Sequence, residues 1–179
     1  EKAIKLEKDA LAQIENITAD NARLVSNLHA NLGGLYRMNG HPDLAREHME
    51  KSISLLDQFN LLHINDSIPQ IANYAMFLTE QQEPVRGITE LQKLSGIIKE
   101  YHSDECLDYA KVQETLGTIY LMTANLPQAK THFKRAFKIY EKIWADEPEM
   151  IEAKYQEIQE LYPQIGFCIG KNLSGLLTK

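Results

Sequence analysis

One residue pattern occurs three times in this chain at an interval of 42 residues, from Leu32 to Tyr74 and from Tyr74 to Leu116. The three segments read NLGGLYRMNGHPDLAREHMEKSI, NYAMFLTEQQEPVRGITELQKLS and TLGTIYLMTANLPQAKTHFKRAF. Aligned positions keep their size, with small residues at Gly33, Ala75 and Gly117 and at Ala45, Gly87 and Ala129, and bulky residues at Met49, Leu91 and Phe133. A period of this length indicates a stack of similar supersecondary units that share one core.

Apolar residues within the first copy follow the period of an α-helix. Leu24, Leu28, Leu32, Leu35 and Tyr36 lie at three- and four-residue steps, which places them on one helix face. Leu44, Met49, Ile53 and Leu56 continue this pattern after Gly40-His41-Pro42, where a glycine ends one helix and a proline begins the next. No segment alternates apolar and polar residues as a strand does. The sequence therefore predicts an all-α protein of short antiparallel helix pairs.

The repeated residues resemble the tetratricopeptide repeat, whose pattern is Leu-Gly-x-x-Tyr followed by Ala-x-x-x-Phe and a small residue. The interval of 42 residues exceeds the usual repeat of about 34 residues and is similar to that of the kinesin-light-chain variant. The stretch WADEPEMIEAKYQEI is similar to the linker and following helix of that variant. The resemblance implies a right-handed superhelical solenoid of antiparallel helix pairs.

The resemblance also predicts how the chain is organised, as a single domain over residues 1–179. Residues 1–17 would form the second helix of a partial repeat, residues 22–60, 66–101 and 106–145 three full repeats, and residues 149–179 a partial repeat or a capping segment.

The glycine-rich stretch GGLYRMNGHP has two interpretations, a phosphate-binding loop or the elbow between two helices. A phosphate loop follows a strand and, in the Walker form, ends in Gly-Lys-Ser or Gly-Lys-Thr. The sequence has neither feature here. Gly33 falls within a helix, where a glycine costs about 1 kcal/mol relative to alanine, so its presence indicates close packing of the paired helix. The elbow is the better interpretation.

Composition and charge restrict the partners and the compartment. A hydrophobic fraction of 44% with 25% charged residues is typical of a folded soluble protein. The net charge of −6 argues against general binding of nucleic acid or of anionic membranes, and no apolar run is long enough to span a membrane. The two cysteines, Cys106 and Cys168, form no disulfide framework, which favours a reducing compartment. We therefore predict a cytoplasmic protein.

The first helix of each pair carries a stripe beside its packing stripe, and the resemblance places ligands there. The predicted peptide-binding residues are Asn27, Asn31, Arg37 and Met38 in the first repeat, Asn73 and Met76 in the second, and Lys111, Thr115, Thr118 and Met122 in the third. Asparagine and threonine side chains can hydrogen-bond the backbone of an extended peptide, and methionines offer an adaptable apolar surface. The alternative for each residue taken singly is an ordinary solvated helix position.

One known use of this fold is a clamp that holds a terminal carboxylate with lysines, an arginine and asparagines. Asn73 and Lys111 match two of its positions, whereas Ala30, Gly34 and Thr115 stand where a lysine, an asparagine and a basic residue are expected. Because most of the charge is missing, no carboxylate clamp is predicted.

Two further groups of residues have competing interpretations. Lys130, Lys134, Lys138 and Lys142 are spaced by four and form a basic stripe, which is either a solvated face or a docking strip for an acidic partner. His102 and Cys106 have a spacing that metals use, but two ligands do not make a metal site.

No nucleophile motif such as Gly-x-Ser-x-Gly is present, so we predict neither an enzyme nor a bound cofactor. The resemblance implies an interaction module that binds an extended peptide or a helix of a protein partner in its concave groove. The alternative is a ligand-sensing regulatory domain, similar to bacterial peptide-pheromone receptors, within a larger signalling or transcription-regulating protein. A homodimer through the ends of the solenoid is a third alternative, for which the apolar stretch FCIGKNLSGLL would be one place.

Overall fold

The computed structural model describes residues 1–161, which form eight α-helices and no strand. The helices are α1 (Lys2–Ala12), α2 (Ala22–Met38), α3 (Pro42–Gln58), α4 (Ser67–Glu80), α5 (Pro84–Tyr101), α6 (Leu107–Met122), α7 (Leu126–Ile143) and α8 (Pro148–Leu161). The predicted all-α class is confirmed. Cys168 and the stretch FCIGKNLSGLL lie outside the described residues.

The chain divides into two compact units, Glu1–Ile97 and Ile98–Lys179. Unit 1 contains α1 to α4 and most of α5, and unit 2 contains α6 to α8. The organisation as a single domain stays a prediction.

In unit 1, α2 and α3 pack as an antiparallel pair. Ser26 near the start of α2 meets Ser52 near the end of α3, whereas Gly33 in the second half of α2 meets Ala45 near the start of α3. The core cluster contains Leu32, Tyr36, Ala45, Met49, Tyr74, Phe77 and Leu78 from α2, α3 and α4. Ile4 and Leu11 of α1 pack against it, so α1 covers one side of this core.

The elbows between paired helices share one geometry. α2, α4 and α6 end at Met38, Glu80 and Met122, which are 42 residues apart. Two residues later, Gly40, Gln82 and Ala124 have φ values of 74°, 66° and 57°. The next backbone N–H, of His41, Glu83 and Asn125, donates to the carbonyl of Tyr36, Leu78 and Tyr120 respectively. This left-handed C-terminal cap closes each first helix, and it confirms the elbow interpretation of the glycine-rich stretch.

Small residues sit where the paired helices approach most closely. A Cβ atom added to Gly33 would lie 2.6 Å from Cγ of Met49, and one added to Gly117 would lie 2.8 Å from the ring of Phe133. In the pair of α4 and α5 the glycine is on the second helix, because a Cβ atom on Gly87 would lie 2.6 Å from the carbonyl oxygen of Ala75. The predicted packing role of Gly33 is therefore confirmed.

In unit 2, α6 and α7 form another antiparallel pair, and α8 packs beside α7. Phe133 is fully buried against Gly117. The ring of Phe137 meets that of Tyr155 of α8 edge to face, with centroids 6.0 Å apart. Ile151 and Ile158 are buried and mark the apolar side of α8.

Candidate functional site

The first helices of the two repeats in unit 1, α2 and α4, form a polar groove. Arg23 donates to Asp66, Asn27 accepts from Gln70, and Arg37 pairs with Glu80. The two residues of each contact are the same number of positions apart in the sequence, so this offset is constant from one end of the helices to the other. A constant offset means that α2 and α4 run parallel. A cavity of about 410 Å³ lies between them and is lined by Asn27, Ala30, Asn31, Asp66, Pro69, Gln70 and Asn73. We call this cavity the unit 1 groove.

The structure thus brings three of the predicted residues together, and their side-chain amides differ in their hydrogen-bond partners. Asn73 is exposed and has no hydrogen-bond partner among the described residues. Asn31 is also exposed, and its Nδ2 donates to Oε1 of Glu7 of α1 at 3.1 Å. Asn27 is held by the protein itself, because its Oδ1 accepts from Nε2 of Gln70 at 2.5 Å. Asn31 and Asn73 are therefore the amides best placed to meet a ligand.

A buried polar network fixes the floor of the groove. Oε1 of Gln70 accepts from the hydroxyls of Ser26 at 2.8 Å and of Ser52 at 2.5 Å, and all three side chains are buried. The network therefore links the helices α2, α3 and α4. Its outer end is Asn27, whose Nδ2 reaches Oδ2 of Asp66 at 3.4 Å. A fully satisfied network of this kind holds its side chains in one arrangement.

An ion pair closes the outer rim of the groove. Nε of Arg23 donates to Oδ2 of Asp66 at 2.6 Å. This hydrogen bond is the main reason why the pKa of Asp66 is below its usual value. A carboxylate that is paired and stays ionised is poorly suited to proton transfer near neutral pH. Asp66 therefore acts as an anchor for Arg23 and Asn27.

The remaining predicted residues of unit 1 lie beyond the groove. Nε of Arg37 donates to Oε2 of Glu80 at 2.8 Å, and a second guanidinium nitrogen contacts the other carboxylate oxygen. Arg37 therefore ties the end of α2 to the end of α4. Met38 is 85% exposed at the last position of α2, and Met76 is partly buried on α4.

The predicted residues of unit 2 all lie on α6. Nζ of Lys111 lies 3.6 Å from the carboxylate of Asp108, and the hydroxyl of Thr115 donates to the carbonyl of Lys111 within its own helix. Thr118 is half-buried, and Met122 is exposed at the end of the helix. A cavity of about 300 Å³ in this unit is lined by Leu107, Lys111, Tyr140, Trp144, Met150, Ala153, Lys154 and Glu157.

Comparison with known proteins identifies the repeats. Residues 67–142 match the family described as Tetratricopeptide repeat. These residues are tetratricopeptide repeats. The predicted family is thereby confirmed. The chain is also similar in structure to BtubC (BKLC) from P. vanneervenii, with a TM-score of 0.68 and 20% sequence identity over 79% of this chain. At this identity the similarity concerns the fold alone, and the chain spans 56% of the length of BtubC. Comparison with curated proteins gives no match.

Two of the 42-residue repeats share a histidine–tyrosine stack that was not predicted from the sequence. The ring of His48 stacks on Tyr36 with centroids 5.4 Å apart, and its Nδ1 lies 2.8 Å from Nδ1 of His29. Two repeats later, the ring of His132 stacks on Tyr120 at 5.3 Å, and its Nδ1 lies 2.9 Å from Oε1 of Gln113. The interval of two repeats between the equivalent histidines and tyrosines is the signal that could have revealed them.

The histidine pair of unit 1 predicts acid sensitivity. Burial, then the nearby His48 and Lys51, lower the pKa of His29 to about 4, and Glu47 opposes this. Below an ordinary pKa of about 6.5 the unfolded chain binds a proton that folded His29 does not. The free energy of unfolding of unit 1 should therefore fall as the pH drops from about 6.5 to about 4. Partial exposure of the ring limits the loss to roughly 1–2 kcal/mol.

The matched variant is His29→Gln, because Gln113 fills the equivalent position of the third repeat. Urea unfolding at several pH values should show a smaller decline for this variant than for the unchanged chain. An NMR titration in which the His29 ring protonates at pH 6.5 or above would contradict the prediction.

Two classes of site find no support in the described part of the chain. No helix there is long and apolar enough to cross a membrane. Within residues 1–161, no group of three or more histidine, cysteine, aspartate or glutamate side chains could hold a metal ion. His102 and Cys106 therefore gain no further ligand among these residues.

Proposed function

We propose that the chain is a protein-interaction module that binds an extended peptide of a partner protein in the unit 1 groove and contributes no chemistry. Tetratricopeptide repeats are generally protein–protein interaction modules and are typically non-catalytic. The observation that carries the proposal is the asparagine-lined cavity between two parallel helices, with Asn73 unpartnered and Asn31 exposed at its surface.

The rigidity of the groove supports binding of a flexible ligand. Association costs conformational entropy on both sides, and a receptor that is already ordered leaves only the cost of ordering the peptide. Gln70 and Asn27 are fixed by the buried network, so the floor of the groove needs no rearrangement when a peptide binds. An asparagine side chain offers both a donor and an acceptor, which matches the N–H and C=O of a peptide backbone.

The test is a selection of displayed peptides on the purified chain, followed by affinity measurements with Asn31→Ala/Asn73→Ala. Loss of two amides that bind the ligand should weaken the selected peptides about tenfold or more. Asn39→Ala is the control, because this exposed amide directly after α2 donates only to the carbonyl of Leu35 and lies outside the groove.

Unit 2 provides a second arm of the same experiment. If the selected peptides keep their affinity in the groove variant but lose it in Thr115→Ala/Thr118→Ala, the binding site is on α6 and the proposed groove is wrong. A ligand-sensing function would instead show itself as changed hydrogen exchange on α3 and α5, away from the bound peptide.

A further inference from the structure

We propose that the chain has a second docking surface, an exposed basic face on α7 that binds an acidic peptide segment of a partner protein. The face consists of Lys130, Lys134, Arg135 and Lys138, all exposed. It shares no residue with the unit 1 groove, so the proposal goes beyond the proposed function. Three observations support the proposal: the charge of the face is uncompensated, its cations are regularly spaced, and it carries no aromatic or apolar group.

The charge of this face is not neutralised within the described part of the chain. α7 carries five basic residues and one acidic residue, Glu141, although the whole chain has a net charge of −6. Other cations of unit 2 are paired, such as Lys142 with Glu105 and Lys154 with Glu114. None of the four residues of the basic face has an ion-pair partner among residues 1–161.

The like charges stand close together along the helix. Lys130, Lys134 and Lys138 follow one another at i, i+4 spacing, an arrangement that destabilises a helix when all members are cationic. The positive charge also affects a neighbouring group. Burial lowers the pKa of His132, and the charge of Arg135 lowers it further. An anionic ligand would relieve this repulsion.

The spacing of the cations fits carboxylates on an extended chain. Residues four apart on a helix are separated by about 6 Å along the axis, and every second residue of an extended peptide by about 6.6 Å. Arg135 adds a planar group that can bind one carboxylate with two hydrogen bonds. A cavity of about 250 Å³ beside the face is lined in part by Arg135, Lys138 and Ile139. The acids of that cavity, Asp104 and Glu105, are paired with Lys99 and Lys142.

Other polyanions fit this face less well. The aromatic residues of α7, Phe133, Phe137 and Tyr140, are buried, so no platform is available for stacking bases. The face has no apolar side chain that could anchor it in a bilayer. The overall negative charge also repels long polyanions more than a short acidic segment.

The experiment measures fluorescence anisotropy of a labelled synthetic peptide with glutamate at every second position, titrated with the full chain at about 50 mM salt. The variant Lys134→Gln/Arg135→Gln should bind at least about tenfold more weakly. The control Lys2→Gln/Lys5→Gln makes the same change in net charge on α1 and should bind within about twofold of the unchanged chain. Far-UV circular dichroism checks that each variant is folded.

Specificity for a carboxylate-rich peptide requires three further comparisons. The glutamine version of the peptide should bind far more weakly, and Asn31→Ala/Asn73→Ala should leave binding of the glutamate peptide unchanged. No binding to the unchanged chain, or an equal loss in the α1 control, would overturn the proposal. Tighter binding of a single-stranded DNA oligonucleotide or of phosphatidylserine vesicles would also overturn it and assign the face to that class of partner.

Discussion

Gly87→Ala is expected to lower the free energy of unfolding of unit 1 by about 2–3 kcal/mol. The added Cβ atom would lie 2.6 Å from the carbonyl oxygen of Ala75 and 3.3 Å from its Cα. These are backbone atoms of α4, which cannot rotate aside as a side chain does, so α5 must move away from α4. The helix propensity of alanine returns about 1 kcal/mol, which is smaller than the cost of the displaced interface.

Gly96→Ala is the matched control, because it makes the same change in the same helix where no atom lies within 4 Å of the added Cβ. This variant should be unchanged or stabilised by up to about 1 kcal/mol. Urea unfolding gives the free energies, and hydrogen exchange of the amides of α4 and α5 localises the effect to unit 1. If the two variants have equal stability, α4 and α5 are not in the close contact described above.

The close contacts of paired helices could be predicted from the sequence because they recur. Gly33, Ala75 and Gly117 occupy one aligned position, and the glycine–proline break at Gly40 and Pro42 marks the first elbow. A repeated position has the same neighbours in each copy, so three copies of a small residue indicate one structural cause.

The limits of the helix faces were less predictable. Leu24 and Leu44 were assigned to the packing face, but they are 55% and 40% exposed. The buried face of α2 passes through Val25 and Leu32, and Leu24 lies about 100° around the helix from Val25. Apolar periodicity gives the direction of a stripe to within roughly one residue, and only the neighbouring helix decides which edge is covered.

The interior of the candidate site depends on the register between helices, which the repeat pattern does not give. Asn27, Asn31 and Asn73 were predicted from their place beside the packing stripe, and the structure brings them to one cavity. Gln70 and Asp66 were missed, because their importance comes from partners about 40 residues away on another helix. Such pairs follow from how far one helix is shifted along the other.

Gln70→Leu is expected to lower the free energy of unfolding of unit 1 by about 2–3 kcal/mol. Leucine fills much of the same space but accepts no hydrogen bond, so the buried hydroxyls of Ser26 and Ser52 lose their shared acceptor. Asn27 also loses the donor that fixes its amide at the floor of the groove. Binding of a peptide selected on the unchanged chain should therefore weaken together with stability.

A triple variant, Ser26→Ala/Ser52→Ala/Gln70→Leu, separates loss of hydrogen bonds from loss of packing. Removing both serine hydroxyls together with the glutamine leaves neither hydroxyl buried without an acceptor, so the triple variant should be more stable than Gln70→Leu although it carries two more substitutions. Urea unfolding of the three single variants gives the free energy of unfolding that each substitution removes. If these three values add up to the loss in the triple variant, the network contributes only packing. Because stability would recover in the triple variant while Asn27 stays unsupported, its peptide affinity should remain low. That difference would show that the network orders the groove for binding independently of how it stabilises the fold.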